Sequence, residues 1–427
     1  MLKGIPNRRE VLAWGTYDLA NQSFQLLINT LLFAVYIREV VADDLAQGER
    51  WWMGMSAAAM LIIVALSPIL GAIADLRAWK REILLTTGVL CAVLTAALAL
   101  AGHGMLAVAA ALYIPASVAC GVGENFLGSF LPEIADEKSM GRVSAIGWTM
   151  SYIGALALMA CMAAATKVLG IEATSDFRWL FIFAGAWFLA WMMPAVLILR
   201  EKARPRDRGL GSVVGAGVRR FASTLAGLGR FRVLGWFLAI FFVYSMGTQV
   251  FVFLSGVITK QMDFSNQTLF IVALEVSFLA GVGAVIAASK QDSWGHRRTI
   301  RIFLGVWVAS MAGLAIMAWI APTPAVFYVL SAGAGLGLGG IGTASRALVG
   351  VLTPASRAGE FFGLWGMTYK LSGACAMGLF LALESIVVGS PALFLAMTAG
   401  FFAAGWLLMG TVDVTRGMAT AREAEGT

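Results

Sequence analysis

Charge is what this sequence lacks. Only 13% of its 427 residues are Asp, Glu, Lys or Arg, about half the roughly 25% typical of a soluble domain, so there are too few solvating groups for a water-exposed surface. Histidine is nearly absent. The two present, His103 and His296, fall in expected loops, which leaves nothing in the apolar segments for a zinc cluster or a Ser/His/Asp arrangement. The four cysteines, Cys91, Cys120, Cys161 and Cys375, all lie in apolar runs, where a thiol acts as a small packing residue. Neither a disulfide nor a metal site is expected. The chain has no G-x-x-x-x-G-K-[ST] phosphate loop, so energy must come from a gradient. The opening MLKGIPNRRE is too polar and too short for a cleaved signal peptide, and the N-terminus is expected to stay.

What is present is apolar surface. Hydrophobic residues make up 59% of the chain and the mean hydropathy is +0.82, the signature of a polytopic membrane protein of the all-α class. Runs long enough to span, about 20 residues, read as 11–38, 52–74, 82–101, 105–130, 142–165 and 178–199, then 232–258, 267–289, 300–320, 325–350, 359–384 and 391–412. That is twelve helices in two sets of six. The net charge of +7 fits basic loops on one side of a membrane better than nucleic-acid binding, and no nucleic-acid partner is expected.

The first run carries a polar stripe. Tyr17, Asn21 and Phe24, and Asp18, Gln22 and Gln25, fall at helical spacing, and in a bilayer such a stripe must face protein or a water-filled cavity. Tyr244-Ser245-Met246-Gly247-Thr248-Gln249-Val250-Phe251 repeats it, with Tyr17, Gln22 and Phe24 matched by the same residue types 227 positions later. At a spacing of 219, Gly123, Gly147, Gly154 and Ala155 meet Gly342, Gly366, Gly373 and Ala374. At 217, Asp75, Arg81 and Gly88 meet Asp292, Arg298 and Gly305. A six-helix unit repeated in the same orientation gives parallel halves about an axis along the membrane normal.

Domains are expected at 1–200 and 232–427, joined by a basic linker over 201–231 whose later part suits an amphipathic surface helix. With both termini on the cytoplasmic side, 25 of the 31 basic residues fall inside. Only Arg38, Arg50, Lys167, Arg178 and Lys260 fall outside, and Lys370 lies within a span. Both termini are therefore assigned to the cytoplasmic side of the membrane.

Gly71-Ala72-Ile73-Ala74-Asp75-Leu76-Arg77-Ala78-Trp79-Lys80-Arg81 resembles the major facilitator loop motif G-x-x-x-D-R-x-G-R-[RK], departing from it at Leu76 and Ala78. Together with Tyr17 to Phe24, FLPEIADEKSMGRVSAIGW (Phe130 to Trp148) and SRALVGVLTPASRAGEFFGLWGMTYKLSG (Ser345 to Gly373), the chain resembles the bacterial "unknown major facilitator" family, related to the fungal autophagy-linked vacuolar amino-acid effluxers. The resemblance covers the whole chain. It implies a major facilitator fold of two pseudo-symmetric six-helix bundles and secondary active transport by alternating access, with helices 1, 4, 7 and 10 lining a central cavity. Amino-acid efflux is suggested only through the fungal relatives.

Asp18, Glu124, Glu275 and Lys370 sit inside helices 1, 4, 8 and 11, where a charge costs on the order of 3 kcal/mol by insertion scales and must find a partner or a cavity. Asp18 and Glu124 are candidate proton or substrate acids, and Lys370, which stands where the repeat has Ser151, is expected to pair with Glu275 and to meet a substrate carboxylate or phosphate. Asn21, Gln22, Asn125 and Gln249 complete the expected cavity lining. Glu124-Asn125 also suits an inner gate. Arg346, near the inner end of helix 10, fits snorkelling to the lipid surface and cavity lining equally. Gly71, Asp75, Arg77 and Arg81, with Asp292 and Arg298, are candidate conformational gates, the acids pairing with basic neighbours across the helix ends. Gly337-Leu338-Gly339-Gly340-Ile341-Gly342 formally matches G-x-G-x-x-G. It sits inside an apolar run with no strand before it, so it reads as a smooth packing face and not as a dinucleotide site. No cofactor is expected.

The reading is a monomeric secondary transporter in contact with membrane lipids, moving a small polar or zwitterionic solute with protons as the candidate coupling ion. Two other classes stay open. A transporter-shaped sensor or assembly factor would show no flux, and a lipid-modifying membrane enzyme would need clustered nucleophiles or ligands that two loop histidines do not supply.

Overall fold

The computed structural model describes residues 5, 7–168, 170, 173–202, 215, 219, 229–262, 264–383 and 390–425. The helices of the first half are α1 (Arg8–Val41), α2 (Leu45–Arg77), α3 (Lys80–Leu100), α4 (Leu106–Ile134), α5 (Met140–Val168) and α6 (Phe177–Ile198). The second half contributes α7 (Arg232–Gln261), α8 (Asn266–Trp294), α9 (His296–Ile320), α10 (Pro324–Leu352), α11 (Ala358–Ala382) and α12 (Pro391–Met409). A short helix, α13 (Val414–Glu425), follows. Among the described residues, eleven helices are long and apolar enough to cross a membrane by length and composition alone. The remaining long helix, α11, is 25 residues long and carries Glu360 and Lys370, so its place in the bilayer depends on its neighbours. The expected amphipathic segment of the linker lies almost wholly outside the described residues.

Local chemistry sets the helix ends. The Asp44 side chain accepts from the Gln47 backbone N–H at 2.7 Å and caps α2, and Ser265 does the same for α8 through Thr268. Pro391 sits at the start of α12, where its missing N–H costs nothing. At the other end of α2, Ala78 turns the chain out of the helix with φ 55°, and its repeat partner Gly295 does so after α8 with φ 82°. Glycine takes that conformation freely, whereas alanine is strained in it. Within α1 the backbone widens to π geometry over Ser23–Leu32, beginning inside the polar stripe, where such departures often mark functional sites.

Two lobes follow from the packing. In the first, α1 packs on α5 and α6, α3 on α4 and α6, and α2 on α4. The second repeats each contact six helices later, α7 on α11 and α12, α9 on α10 and α12, and α8 on α10. The glycine-rich face of α10 allows the last of these: a Cβ at Gly339 would collide with the Ala280 carbonyl of α8, and one at Gly335 would lie 2.8 Å from the Val276 carbonyl. The lobes meet through α2 with α11 and α5 with α8, and through α4 with α11 and α5 with α10. Large apolar side chains such as Leu61, Leu197, Trp319 and Ile320 point outward, as lipid-facing positions require. All four cysteines are unpaired, Cys91 and Cys120 buried and Cys161 and Cys375 exposed.

Candidate functional site

The centre of the molecule is a buried ion pair between the lobes. Arg346 of α10 donates from Nη1 to Asp18 Oδ2 of α1 at 2.8 Å, and the two side chains are 6% and 10% exposed. The rest of the guanidinium is also held by the first lobe: Nη2 donates to the Ser144 carbonyl at 2.7 Å and Nε to Ser144 Oγ at 3.3 Å. Its carbon lies 4.8 Å from the Trp14 ring centre and 5.5 Å from that of Trp148. Planar donors and stacking faces suit arginine and would not hold lysine the same way. The alternative of snorkelling to lipid is therefore replaced: Arg346 points into the protein and grips the opposite lobe. Gly147 makes this possible, since a Cβ there would collide with Arg346, Asp18 and Trp14.

Beside the pair is a cavity of about 40 Å³ lined by Asp18, Asn21, Gln22, Gln25, Glu124, Trp148, Ser151, Arg346 and Trp365. It has room for a few waters and is too small for a solute of amino-acid size. Five of the residues expected from sequence, Asp18, Asn21, Gln22, Glu124 and Arg346, meet here. Gln22 is bonded to Ser151 within its own lobe. From Glu124 a polar chain leads away: Gln25 Nε2 donates to Glu124 Oε2 at 3.4 Å, Asn29 Nδ2 to Gln25 Oε1 at 3.4 Å, and the Tyr113 hydroxyl to Asn29 Oδ1. Asn29 and Tyr113 were not among the sequence candidates, although Gln25, Asn29 and the π-helical stretch share one segment.

Other candidates lie apart from the cavity. Asn125 donates to Ser67 Oγ at 2.9 Å, and its amide fills the space that a Cβ at Gly366 would need. Gln249 donates to the Tyr369 carbonyl at 3.4 Å. The expected Lys370–Glu275 pair does not form. Lys370 Nζ stands 5.8 Å from the centre of the Tyr369 ring and is one of the charges acting on Glu124, with Asp18 and Arg346. Glu275 keeps one buried carboxylate oxygen with no hydrogen-bond partner among the described residues. Helices 8 and 11 make no substantial contact with each other, so these two charges of the same half do not meet.

On the face that carries Arg8 and Glu425, hereafter the terminal face, two carboxylates clamp the lobes. Asp75, at the end of α2, accepts from the Gly359 and Glu360 backbone N–H groups at the start of α11, at 3.0 and 2.8 Å. Asp292, at the end of α8, accepts from the Gly141 N–H at 2.9 Å and from Arg142 Nε at 3.1 Å at the start of α5. A carboxylate at a helix N-terminus satisfies orphan donors and meets the positive end of the dipole. Gly71 lets α2 approach α11, because a Cβ there would collide with the Gly359 carbonyl.

The basic partners differ from those expected. Buried Lys80 lies 3.8 Å from Asp75 and also pairs with Glu133. Arg81 instead ties α3 to the end of α6, donating to the Leu199 and Val196 carbonyls at 2.8 and 2.6 Å. Arg77 lies 5.9 Å from the Trp79 ring centre, and Arg298 is exposed. Glu201 accepts from the Arg81 backbone N–H at 3.0 Å, and burial pushes its carboxyl up to about 7 despite that bond and nearby Lys80. Nearby, Arg422 of α13 pairs with Glu137 of the α4–α5 connection and holds its carboxyl below the usual range.

The family model described as "Vacuole effluxer Atg22 like" matches residues 51–422. The chain belongs to this Atg22-like family. The chain is also similar to an uncharacterized MFS-type transporter of Bacillus subtilis (strain 168), YxiO, 22% identical over 371 residues covering 84% of this chain and 85% of YxiO. Solved structures share the fold of this Atg22-like chain. The proton:xylose symporter XylE superimposes with a TM-score of 0.71 at 13% identity, over 97% of both chains. The human organic anion transporter MFSD10 (TETRAN) gives 0.69 at 15% identity, over 95% of this chain and 99% of its own. A bacterial homologue of the iron transporter ferroportin in an outward-facing state gives 0.66 at 14% identity, covering 96% and 98%. The protein is thus a major facilitator transporter related to Atg22, a multi-pass membrane protein whose fold serves small-molecule transport.

Proposed function

We propose that this transporter moves a small zwitterionic or polar solute, such as an amino acid or related metabolite, across the bacterial inner membrane, with both termini in the cytoplasm and protons as the coupling ion. The observation that carries the reading is the Asp18–Arg346 pair between the lobes, with Glu124 beside it. Acids come from the first lobe and cations, Arg346 and Lys370, from the second. When the lobes part on the terminal face, Asp18 and Arg346 lose each other, and leaving either ion uncompensated in an apolar setting is costly. A solute carboxylate at Arg346 and a proton or solute ammonium at Asp18 offset that cost, so opening is linked to what is bound. In the closed arrangement the 40 Å³ cavity admits water and no solute, as alternating access requires between its open states.

The test is flux into liposomes containing only this protein, with amino acids, dipeptides and sugars offered under an imposed pH gradient. Gradient-driven uptake of a zwitterion by the parent, with the pH dependence flattened in Asp18→Asn, is the expected outcome. Uptake of the same solute with unchanged pH dependence in Asp18→Asn and Glu124→Gln removes proton coupling from these sites. No flux of any solute returns the sensor or assembly-factor reading.

A further inference from the structure

A groove of about 770 Å³ opens on the terminal face between the first turn of α7, the end of α10 and the segment joining α12 to α13. Its charged lining is Arg230, Arg232, Arg416 and Asp413. Asp413 is already engaged, accepting from the Arg416 backbone N–H at 3.0 Å to cap α13. All three arginines are exposed, and among the described residues none of their guanidinium groups is in an ion pair. Three cations around one concavity repel each other unless an anion sits between them. By composition, residues 203–228 hold one acid, Asp207, against Arg204, Arg206, Arg208, Arg219 and Arg220.

The rim sets the depth. Trp236, 44% exposed, donates its indole N–H to Thr411 Oγ1 at 2.8 Å, the posture of an aromatic at the membrane–water boundary. The first turn of α7, which contains no acid, adds backbone N–H groups whose partial positive charge favours an anion. We propose that this groove binds a phosphate-bearing anion, in the first instance the headgroup of an anionic phospholipid in the leaflet on the terminal face; a soluble diphosphate is the other source of the same chemistry. The site is independent of the transport reading. Its effect on the fold is definite: an anion bridging Arg232 of α7 and Arg416 of α13 pins α13 to the second lobe, while α13 reaches the first lobe through Arg422 and Glu137.

The experiment is a thermal-shift titration of the purified full chain in phosphatidylcholine micelles with phosphatidylglycerol, cardiolipin, further phosphatidylcholine or inorganic pyrophosphate, since a ligand of the folded state raises Tm. Phosphatidylglycerol and cardiolipin are expected to raise Tm and further phosphatidylcholine to leave it. In R230Q/R232Q/R416Q the apparent affinity is expected to fall on the order of 100-fold, about fivefold per lost charge. R230K/R232K/R416K keeps most of the response. A charge-matched control on the same face, R8Q/R9Q/K138Q, whose residues are all exposed, keeps it fully. A shift with pyrophosphate alone, lost in the glutamine variant, supports the site and assigns it to soluble phosphate. An undiminished anionic-lipid response in the glutamine variant, or equal loss in the control, overturns the proposal.

Discussion

The two lobes are built alike at their edges and unlike at their centre. Asp75 and Asp292, 217 residues apart, each reach across to a helix start in the other lobe, and Gly147 and Gly366, 219 apart, each make room for a side chain from the other lobe. At the centre the symmetry stops. Arg346 stands where the first lobe has Leu127, and Lys370 where it has Ser151. Repetition thus supplies matching clamps at the edges of the two lobes. At the cavity, Asp18 and Glu124 come from the first lobe and Arg346 from the second, giving it an acidic side and a basic side.

Breaking the central asymmetry should have the largest effect. Arg346→Ala or Asp18→Ala leaves a buried ion without its partner, and a loss of about 3–5 kcal/mol is expected, read as a lowered Tm. The double variant should recover part of it, because the two residues are one interaction. Additive losses would mean that Arg346 is held by Ser144 and the tryptophans and that Asp18 is incidental.

The clamps sharpen the comparison next. Asp75→Ala removes a fully buried carboxylate that serves two backbone donors and Lys80, and about 1.5–3 kcal/mol is expected. Asp292→Ala should cost less, since that carboxylate is 16% exposed. Equal effects would show that burial does not distinguish the two copies.

Glu201 has no counterpart in the second lobe and gives a pH test. Its carboxyl is raised by burial to about 7, so the folded state favours the protonated form. Below the unfolded value both states are protonated and the group contributes nothing. As pH rises from about 4.5 to 7 the unfolded state ionises first and stability falls. Glu201→Gln should match the parent near pH 4.5 and exceed it at pH 8, on the order of 1 kcal/mol after discounting for solvent exposure. A constant difference across that range would rule out its titration as the cause.

The smallest effect concerns the turn after α2. Ala78 has φ 55° where its repeat partner is Gly295, and Ala78→Gly should stabilise by about 0.5 kcal/mol, the relief of left-handed strain less the added chain entropy. Destabilisation would mean that the methyl group packs usefully.

These contrasts also mark what the sequence made legible. Periodicity and the repeat were enough for the helices, the lobes and the correspondence of Asp75 with Asp292, because each depends on spacing along the chain. Boundaries moved where caps act: the second span was expected at 52–74 and runs from Leu45, since Asp44 caps it. The partners were not legible. Asp18 and Arg346 are 328 residues apart, and no spacing rule joins them. Lys80 looked like one basic residue among several, yet it is the one buried against Asp75 and Glu133. Lys370 and Glu275 attracted each other on paper because they share a half, and helix packing keeps them apart. A neutral residue opposite a bulky charge, Gly147, is the signal that could have found Arg346.

The central claim is that Asp18 and Arg346, paired at the centre of the molecule, keep the two lobes closed against each other. The most direct measurement is the distance between spin labels at Lys138 of the first lobe and Arg298 of the second, both exposed, in the parent and in Asp18→Ala, with the native cysteines replaced. A single short distance in the parent and an added longer population in Asp18→Ala are expected. An unchanged distribution in Asp18→Ala would contradict the account.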